Sequence, residues 1–208
     1  MNMKKFPHPF IVKIIDEFID SQGRLCLVQE HYTEGDFKDY LIKWEGKSFT
    51  ESEIIKYLAN IFLAVFHLNS RDVFHRDLKP ANFLMKTEEN GNTYLHLSDF
   101  GLAKNISDTD RVSSSINMKG THEYLAPEIH NALEVKPSII KQDVWAVGVI
   151  AYELCTFHLP FKGETSKAKT NAIINNPHIP IEQDYSQELK DLISCMLIKD
   201  PEQRPSIN

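Results

Sequence analysis

The chain has 208 residues, of which 42% are hydrophobic and 25% are charged, and its formal net charge is −6. This composition predicts one globular domain and excludes a disordered tail, a collagen-like fibre and a disulfide miniprotein. The longest mostly apolar stretch, residues 57–68, is shorter than the roughly 18–20 residues of a membrane span. The acidic balance gives no indication of nucleic acid or a membrane as a partner, and nothing in the sequence indicates the oligomeric state.

Three cysteines, odd in number and far apart, lie in apolar stretches: Cys26, Cys155 and Cys195. Cysteines in such surroundings are expected to be small, buried hydrophobic side chains. The unpaired set also favours a reducing compartment, so we expect a cytoplasmic or nuclear protein with reduced thiols.

The first thirty residues are predicted to form a hairpin. Residues 10–15 and 25–28 are short, apolar and rich in β-branched side chains, and Ser21-Gln-Gly23 between them is a turn signal. Two strands alone do not make a stable sheet. The pair is therefore expected either to pack on helices or to belong to a sheet whose other strands are not among these residues.

A long helix is predicted over residues 50–70, where Thr50 and Glu53 form a capping box ahead of apolar residues at helical spacing. Three short strand fragments follow, with a hairpin turn between the last two. Their predicted ranges are 73–74, 83–85 and 93–97. Residues 105–120 are polar and rich in serine, and we expect a loop there.

The second half of the chain is predicted to be helical. Residues 143–154 are apolar nearly all round, which indicates a central buried helix. Residues 189–197 show an amphipathic pattern, with Ser186 as the expected N-cap. Pro160 and Gly163 break the chain between these two helices. A few strands followed by helices around one buried helix is an α+β pattern.

Three short motifs carry the chemistry. The first is His75-Arg-Asp-Leu-Lys-Pro-Ala-Asn82, the second is Asp99-Phe-Gly101, and the third is Ala126-Pro-Glu128. In this ordered set the chain resembles the eukaryotic protein kinases, and the resemblance covers residues 8–208. It implies a kinase-like α+β fold, mainly the helical large lobe plus the hinge and a two-strand remnant of the small lobe.

The resemblance implies a role for each polar residue of the first two motifs. Asp77 would accept the proton of a substrate hydroxyl, and Lys79 would lie beside the transferred phosphate. Asn82 and Asp99 would hold Mg²⁺, a hard cation that takes oxygen ligands. A lysine at position 79 is typical of serine/threonine rather than tyrosine kinases. We therefore expect an enzyme that uses ATP and Mg²⁺ to phosphorylate Ser or Thr of a protein substrate.

Further residues match the family outside these motifs. Thr121 is expected to bond beside the catalytic groups, and Arg204 to pair with Glu128. Asp143, at the predicted start of the central helix, matches an acid that braces the backbone of the catalytic loop. An acid that only complements the helix dipole is the alternative for Asp143.

Residues 25–37 resemble the last small-lobe strand and the hinge. The backbone of Glu30 and Tyr32 is then expected to face the adenine ring of ATP. Leu84 would form the apolar floor beneath that ring, and Asp36 would touch the ribose hydroxyls. For the last two residues, ordinary roles as a core leucine and a helix N-cap stay open.

The largest departure from the family is an absence. No Gly-x-Gly-x-x-Gly occurs in the 208 residues, and the family's strand lysine and helix glutamate have no counterpart before His8. We expect one partial kinase domain over residues 1–208, with residues 1–29 as a small-lobe remnant and residues 30–208 as the hinge and large lobe. Two interpretations stay open: the catalytic region of an active kinase, or a non-catalytic kinase-like interaction module.

Smaller departures concern the substrate platform. His122 replaces a common proline, and Asn117 stands where many members carry a phosphorylated Ser or Thr, with Ser113, Ser114 and Ser115 nearby. Ala81 stands where kinases that prefer basic substrates often carry Glu, so we do not expect such a preference.

Two segments near the end of the chain suggest a subfamily. Residues 152–161 and 200–207 look most like the NIMA-related kinases. A third interpretation, a small-molecule phosphotransferase with a similar lobe, is disfavoured because Ala126-Pro-Glu128 and the Gly-Thr pair ending at Thr121 mark a peptide platform.

Overall fold

Helices and three antiparallel strand pairs make up the part of the chain that the structure, a computed structural model, describes: residues 7–105, 121–130 and 136–207. The strands are β1 (Ile14–Ile19), β2 (Leu25–Gln29), β3 (Val73–Phe74), β4 (Phe83–Thr87), β5 (Thr93–Leu97) and β6 (Lys104–Asn105). The helices are α1 (Phe37–Trp44), α2 (Glu51–Asn69), α3 (Pro127–His130), α4 (Lys136–Thr156), α5 (Ser166–Asn175) and α6 (Gln187–Met196). β1 pairs with β2, β3 with β6 and β4 with β5. The expected α+β class is confirmed.

The first hairpin begins later than predicted. The strand predicted over residues 10–15 was wrong, because most of that apolar run lies beside β5 instead of pairing with β2. The Leu97 N–H donates to the Phe10 carbonyl (2.9 Å), and the Val12 N–H donates to the Leu97 carbonyl (3.0 Å). The run therefore attaches the hairpin to the helical body. The predicted turn is correct and contains Gly23 at φ 77°, a conformation that glycine adopts without steric cost.

α2 matches its prediction closely. Thr50 Oγ1 accepts from the Glu53 N–H (3.3 Å), and the Glu53 carboxylate accepts from the Thr50 N–H (2.7 Å), so the capping box forms. Within the helix, Asn60 is buried, and its Oδ1 accepts from the Leu95 N–H in β5 (3.0 Å). This bond satisfies a polar group in the core and fixes β5 against α2.

α4 is the centre of the helical body. It begins two turns before the predicted start at Asp143, so the prediction that Asp143 opens the helix was wrong. The Trp145 ring is fully buried and stacks on Phe161 with centroids 5.5 Å apart. A Cβ atom at Gly148 would lie 2.8 Å from the Met196 Cβ. Glycine at this position therefore permits the close approach of α6.

The helices α1, α5 and α6 each begin after an N-cap side chain that accepts a backbone hydrogen bond. α6 is confirmed, and Ser186 Oγ accepts from the Leu189 N–H (3.2 Å). α5 is capped by Thr165 and was not predicted from the sequence. α1 was expected only as a helix that Asp36 would cap, and Asp36 does cap it.

The cysteines differ from one another in burial. Cys155 is buried, and burial raises the pKa of its thiol to about 12. Cys26 and Cys195 are only half-buried, so the prediction that all three are buried was wrong for these two. No helix in the described part of the chain has both the length and the hydropathy needed to cross a bilayer. The predicted loop over residues 105–120, with Ser113, Ser114, Ser115 and Asn117, lies outside the described residues apart from its first position.

Candidate active site

The Asp77 carboxylate lies at the centre of a group of side chains that hydrogen-bond to it. Lys79 Nζ donates to Asp77 Oδ2 (2.8 Å), and the Thr121 N–H donates to Oδ1 (3.0 Å). Asn82 Nδ2 donates to the Asp77 carbonyl (2.7 Å) and lies 3.2 Å from Oδ2. Lys79 Nζ also reaches Thr121 Oγ1 (2.8 Å). The structure therefore brings together four of the predicted site residues, including two that are separated by 42 positions.

The loop that carries Asp77 is fixed from below by α4. Asp143 is buried, and its two carboxylate oxygens accept the N–H groups of His75 and Arg76, each at 2.9 Å. Arg76 holds φ 69°, a backbone conformation that is uncommon outside glycine and needs such support. Burial raises the pKa of the Asp143 carboxyl, and the two N–H donors and the His75 ring oppose that rise. The predicted bracing role is therefore present, although Asp143 lies inside the helix.

His75 connects this loop to the second motif. Its ring is fully buried and makes an edge contact with Phe100 (centroids 5.2 Å apart). Burial lowers the pKa of His75, and the nearby carboxylates of Asp143, Asp77 and Asp99 oppose that shift. Its Nε2 lies 2.9 Å from the Ser98 carbonyl, and because a carbonyl only accepts, we assign the ring proton to Nε2.

Asn82 and Asp99 are joined through Ser98, the residue before Asp99. The Ser98 N–H and Oγ both donate to the Asn82 carbonyl, at 2.8 and 2.9 Å. Asp99 is exposed at φ 57°, and its Oδ1 accepts from the Gly101 N–H (3.2 Å). Asn82 Oδ1 has no hydrogen-bond partner among the described residues. The site thus offers one amide oxygen, on Asn82, and one exposed carboxylate, on the residue after Ser98.

These two oxygen donors fit Mg²⁺ better than a metal that requires a complete protein cage. No group of three or more His, Cys, Asp or Glu residues in the described ranges has metal-binding geometry. Mg²⁺ is usually held by one or two protein oxygens together with substrate phosphates and water. Asn82 and Asp99 match that requirement.

At the predicted hinge, the side chains of Glu30 and Tyr32 both contact other residues. The Glu30 carboxylate pairs with Lys86 (2.8 Å), and that hydrogen bond lowers the pKa of Glu30. The Tyr32 ring is buried and lies against His96 with centroids 4.9 Å apart. Both side chains line a cavity of about 660 Å³ whose walls include neither Asp77 nor either candidate metal ligand. The Glu30 carbonyl and the Tyr32 N–H have no backbone hydrogen-bond partner within the described ranges.

Asp36 and Leu84 face each other across a backbone bridge. Asp36 Oδ1 accepts from the Asp39 N–H (2.9 Å) and caps α1, which is the ordinary role left open for it. Leu84 is half-buried in β4, two residues after Asn82. The bridge therefore places Asp36 beside β4, the strand that begins directly after Asn82.

Arg204 and Glu128 form the predicted pair. Arg204 is 1% exposed, and its two terminal nitrogens donate to the two Glu128 oxygens at 2.8 and 3.0 Å. Three carbonyls accept its remaining N–H groups, those of Lys141, Ile198 and Lys199. All five guanidinium donors are satisfied, which a buried arginine requires.

One polar group near the site was not predicted. Glu153 in α4 accepts from Lys38 Nζ (2.7 Å) and from the Tyr124 hydroxyl (2.6 Å). The available signal was an acid at position 153 that follows nine uncharged residues of the helix, because a buried acid normally has a partner. The sequence does not indicate which residue the partner is, because Lys38 lies 115 positions away.

Comparison of the chain with known proteins identifies its family. The family model described as "Protein kinase domain" matches residues 1–208. The chain belongs to the protein kinase domain family. Serine/threonine-protein kinase Nek5 of Homo sapiens is 34% identical over 206 residues, which cover 99% of this chain and 28% of that protein. Probable serine/threonine-protein kinase nek3 of Dictyostelium discoideum is 34% identical over 97% of this chain and 18% of its own length.

Serine/threonine-protein kinase Nek1 of Mus musculus is 33% identical over all of this chain and 16% of its own length. These relatives confirm the predicted similarity to NIMA-related serine/threonine kinases. The chain spans between 16% and 28% of the length of the three relatives.

Proposed function

We propose that this kinase-family chain is the catalytic region of a serine/threonine protein kinase, which transfers the γ-phosphate of ATP to a Ser or Thr hydroxyl of a protein. The observation that carries the proposal is the Asp77 carboxylate, held by Lys79, Thr121 and Asn82. We assign residues 1–29 to a small-lobe remnant and residues 30–208 to the hinge and large lobe.

In the proposed reaction, Asp77 orients the substrate hydroxyl and accepts its proton. Lys79 Nζ bridges Asp77 and Thr121 and places a positive charge where negative charge develops on the transferred group. Thr121 fixes the other Asp77 oxygen through its backbone N–H. The carboxylate is therefore held in one orientation before the substrate arrives, which lowers the entropic part of the barrier.

Asn82 and Asp99 are the proposed ligands of Mg²⁺. Because Asn82 Nδ2 is used by Asp77, the amide is turned so that Oδ1 is the atom left for the ion. Mg²⁺, when bound, neutralises charge on the phosphate oxygens. Asp99 supplies the negative charge that favours a divalent cation at this position.

The hinge is the proposed nucleotide-binding edge. The free Glu30 carbonyl and Tyr32 N–H supply one acceptor and one donor to the adenine edge. Leu84 lies on the loop side of the hinge as the apolar floor. Asp36 caps α1 with one carboxylate oxygen, so the second oxygen can bind a ribose hydroxyl without loss of the cap.

A second candidate function is a non-catalytic, kinase-like interaction module. One observation favours it: the β1–β2 hairpin exposes large apolar side chains such as Phe18 (52% exposed) and Ile19 (71% exposed), which a partner could cover. Such a module would fold and bind partners with its catalytic residues unused.

A phosphate-transfer assay separates the two functions. The full protein is incubated with Mg²⁺, γ-labelled ATP and a library of Ser and Thr peptides. We expect transfer to peptide hydroxyls, and Asp77→Asn should lower turnover by about 10²–10⁴-fold because the proton acceptor is lost. Asp184→Asn, at an exposed position away from the site, is the matched control and should keep its turnover. A folded protein that transfers no phosphate, or an Asp77→Asn variant with normal turnover, contradicts the kinase proposal.

A further inference from the structure

A cavity of about 700 Å³ lies between α1, α4 and the loop that follows α4. Its lining includes Lys38, Glu153, Phe157, Phe161, Lys162 and Lys169. Apolar rings and charged groups share this surface, as expected of a site that takes a peptide side chain rather than a purely apolar ligand. The inference below rests on the proposed kinase function, since it concerns which peptides the site accepts.

The cavity is directly connected to the catalytic group. Thr121 binds Asp77, and three residues later the Tyr124 hydroxyl binds Glu153 in the cavity wall. These residues are joined by a 3-10 turn, whose rise of about 2 Å per residue puts Tyr124 about 6 Å beyond Thr121. That distance corresponds to about two residues of an extended peptide. A peptide that is bound with its hydroxyl at Asp77 and runs along this turn would bring a side chain a few residues away to the cavity wall formed by Glu153.

Glu153 is the buried carboxylate of the cavity, and each of its two oxygens already accepts a hydrogen bond. It is 5% exposed, with Lys38 Nζ at 2.7 Å from one oxygen and the Tyr124 hydroxyl at 2.6 Å from the other. Burial raises the pKa of Tyr124, so this hydroxyl keeps its proton and donates it. The other charges of the wall, such as Lys162 and Glu164, lie in exposed positions. A basic peptide side chain thus finds no free buried carboxylate here.

We propose that Lys38 is a specificity-determining residue that holds Glu153 and so makes this cavity reject basic side chains of the substrate. An incoming Arg or Lys would lose its water and meet the Lys38 ammonium, which costs free energy from both desolvation and like-charge repulsion. Removal of Lys38 would release a buried carboxylate suited to a charge-assisted hydrogen bond with a guanidinium. The same cavity would then select the residues that it now excludes.

Peptide binding tests this directly, without any need for turnover. Labelled Ser peptides carry Arg, Ala or Glu at each of four positions on either side of the hydroxyl, and affinity is measured by fluorescence anisotropy. The full protein should bind no Arg peptide more tightly than its Ala counterpart. Lys38→Met should bind an Arg peptide about tenfold more tightly at one position, and the double variant Lys38→Met with Glu153→Gln should lose that gain. Lys43→Met removes the same charge from an exposed site on the same helix and should match the unmodified protein.

A second variant keeps the test decisive if Lys38→Met does not melt cooperatively. Glu153→Gln leaves the Lys38 charge unpaired, so it should favour Glu peptides by several-fold over the unmodified protein. The inference is overturned if the unmodified protein binds Arg peptides tightest, if neither variant changes the preference, or if the folded protein binds no peptide. The predicted shifts without any phosphate transfer would support the role of Lys38 and contradict the kinase proposal alone.

Discussion

The catalytic loop and the β1–β2 hairpin are built in opposite ways. Around the loop, polar groups are buried and paired: Asp143 accepts two backbone N–H groups, and Arg204 satisfies all five of its donors. On the hairpin, large apolar side chains are exposed and no described residue covers them. They are Ile15, Phe18, Ile19, Leu25, Leu27 and Val28.

This difference shows where the geometry of the site originates. The catalytic loop is fixed by Asp143 in α4 and by Thr121, which both belong to the helical half of this chain. The hairpin is attached mainly by residues 10–12, which lie beside β5. Because an isolated two-stranded hairpin is marginally stable, we expect it to open locally while the loop stays ordered.

The largest expected effect comes from the buried ion pair of Arg204 and Glu128 in the helical body. Arg204→Met leaves the Glu128 carboxylate buried without its partner, so we expect the free energy of unfolding to fall by about 3–5 kcal/mol. The hairpin supplies the control, because Arg24 pairs with Asp20 at 2.7 Å with its side chain 70% exposed. Arg24→Met should cost less than about 1 kcal/mol. Urea unfolding of both variants measures the difference, and equal losses would remove the contrast between the two regions.

A smaller effect on the free energy of unfolding is expected when the pH is lowered. Burial lowers the pKa values of His75, His96 and His130 below the ordinary 6.5. Below about pH 6.5 the unfolded chain therefore binds more protons than the folded one, and stability falls with falling pH by at most about 1.4 kcal/mol per pH unit for each histidine.

His130→Phe tests this dependence. The His130 ring lies against His122 with centroids 4.6 Å apart, and its pKa is lowered by burial first and by His122 second, with Glu128 acting in the opposite direction. Phenylalanine keeps the ring contact and removes the titration, so the slope of stability between pH 5 and 7 should decrease. A steeper slope for His130→Phe would contradict a neutral, buried His130.

The smallest expected effect on stability is on the hairpin. Ile19→Thr with Leu25→Thr replaces a cross-strand pair whose members are 71% and 65% exposed. We expect a change of less than about 0.5 kcal/mol in the free energy of unfolding and a decrease in self-association, since exposed apolar strands promote it. Sedimentation velocity measures association. A large loss of stability would mean that the hairpin is part of the cooperative core.

The sequence predicted those parts of the molecule whose signals are local. The capping box of α2 lies within four residues, and the motifs around Asp77 and Asp99 give residue types and order together. The start of β1 was wrong because residues 10–12 lie beside β5, a tertiary contact that the local apolar pattern does not specify. The pairing of Lys38 with Glu153 depends on tertiary contact between α1 and α4, which no local pattern specifies.

The most direct test of the account is the division of roles between Asp77 and Asp99. Mg-ATP is titrated calorimetrically into the full protein and into the Asp77→Asn and Asp99→Asn variants, and peptide phosphorylation is measured in parallel. We predict that Asp77→Asn abolishes most turnover with little change in the Mg-ATP dissociation constant, since it removes the proton acceptor and keeps both proposed metal ligands. Asp99→Asn should raise that dissociation constant about tenfold or more, because it removes the charge that faces the metal. Equal dissociation constants for the two variants, or unchanged turnover in Asp77→Asn, would contradict the account.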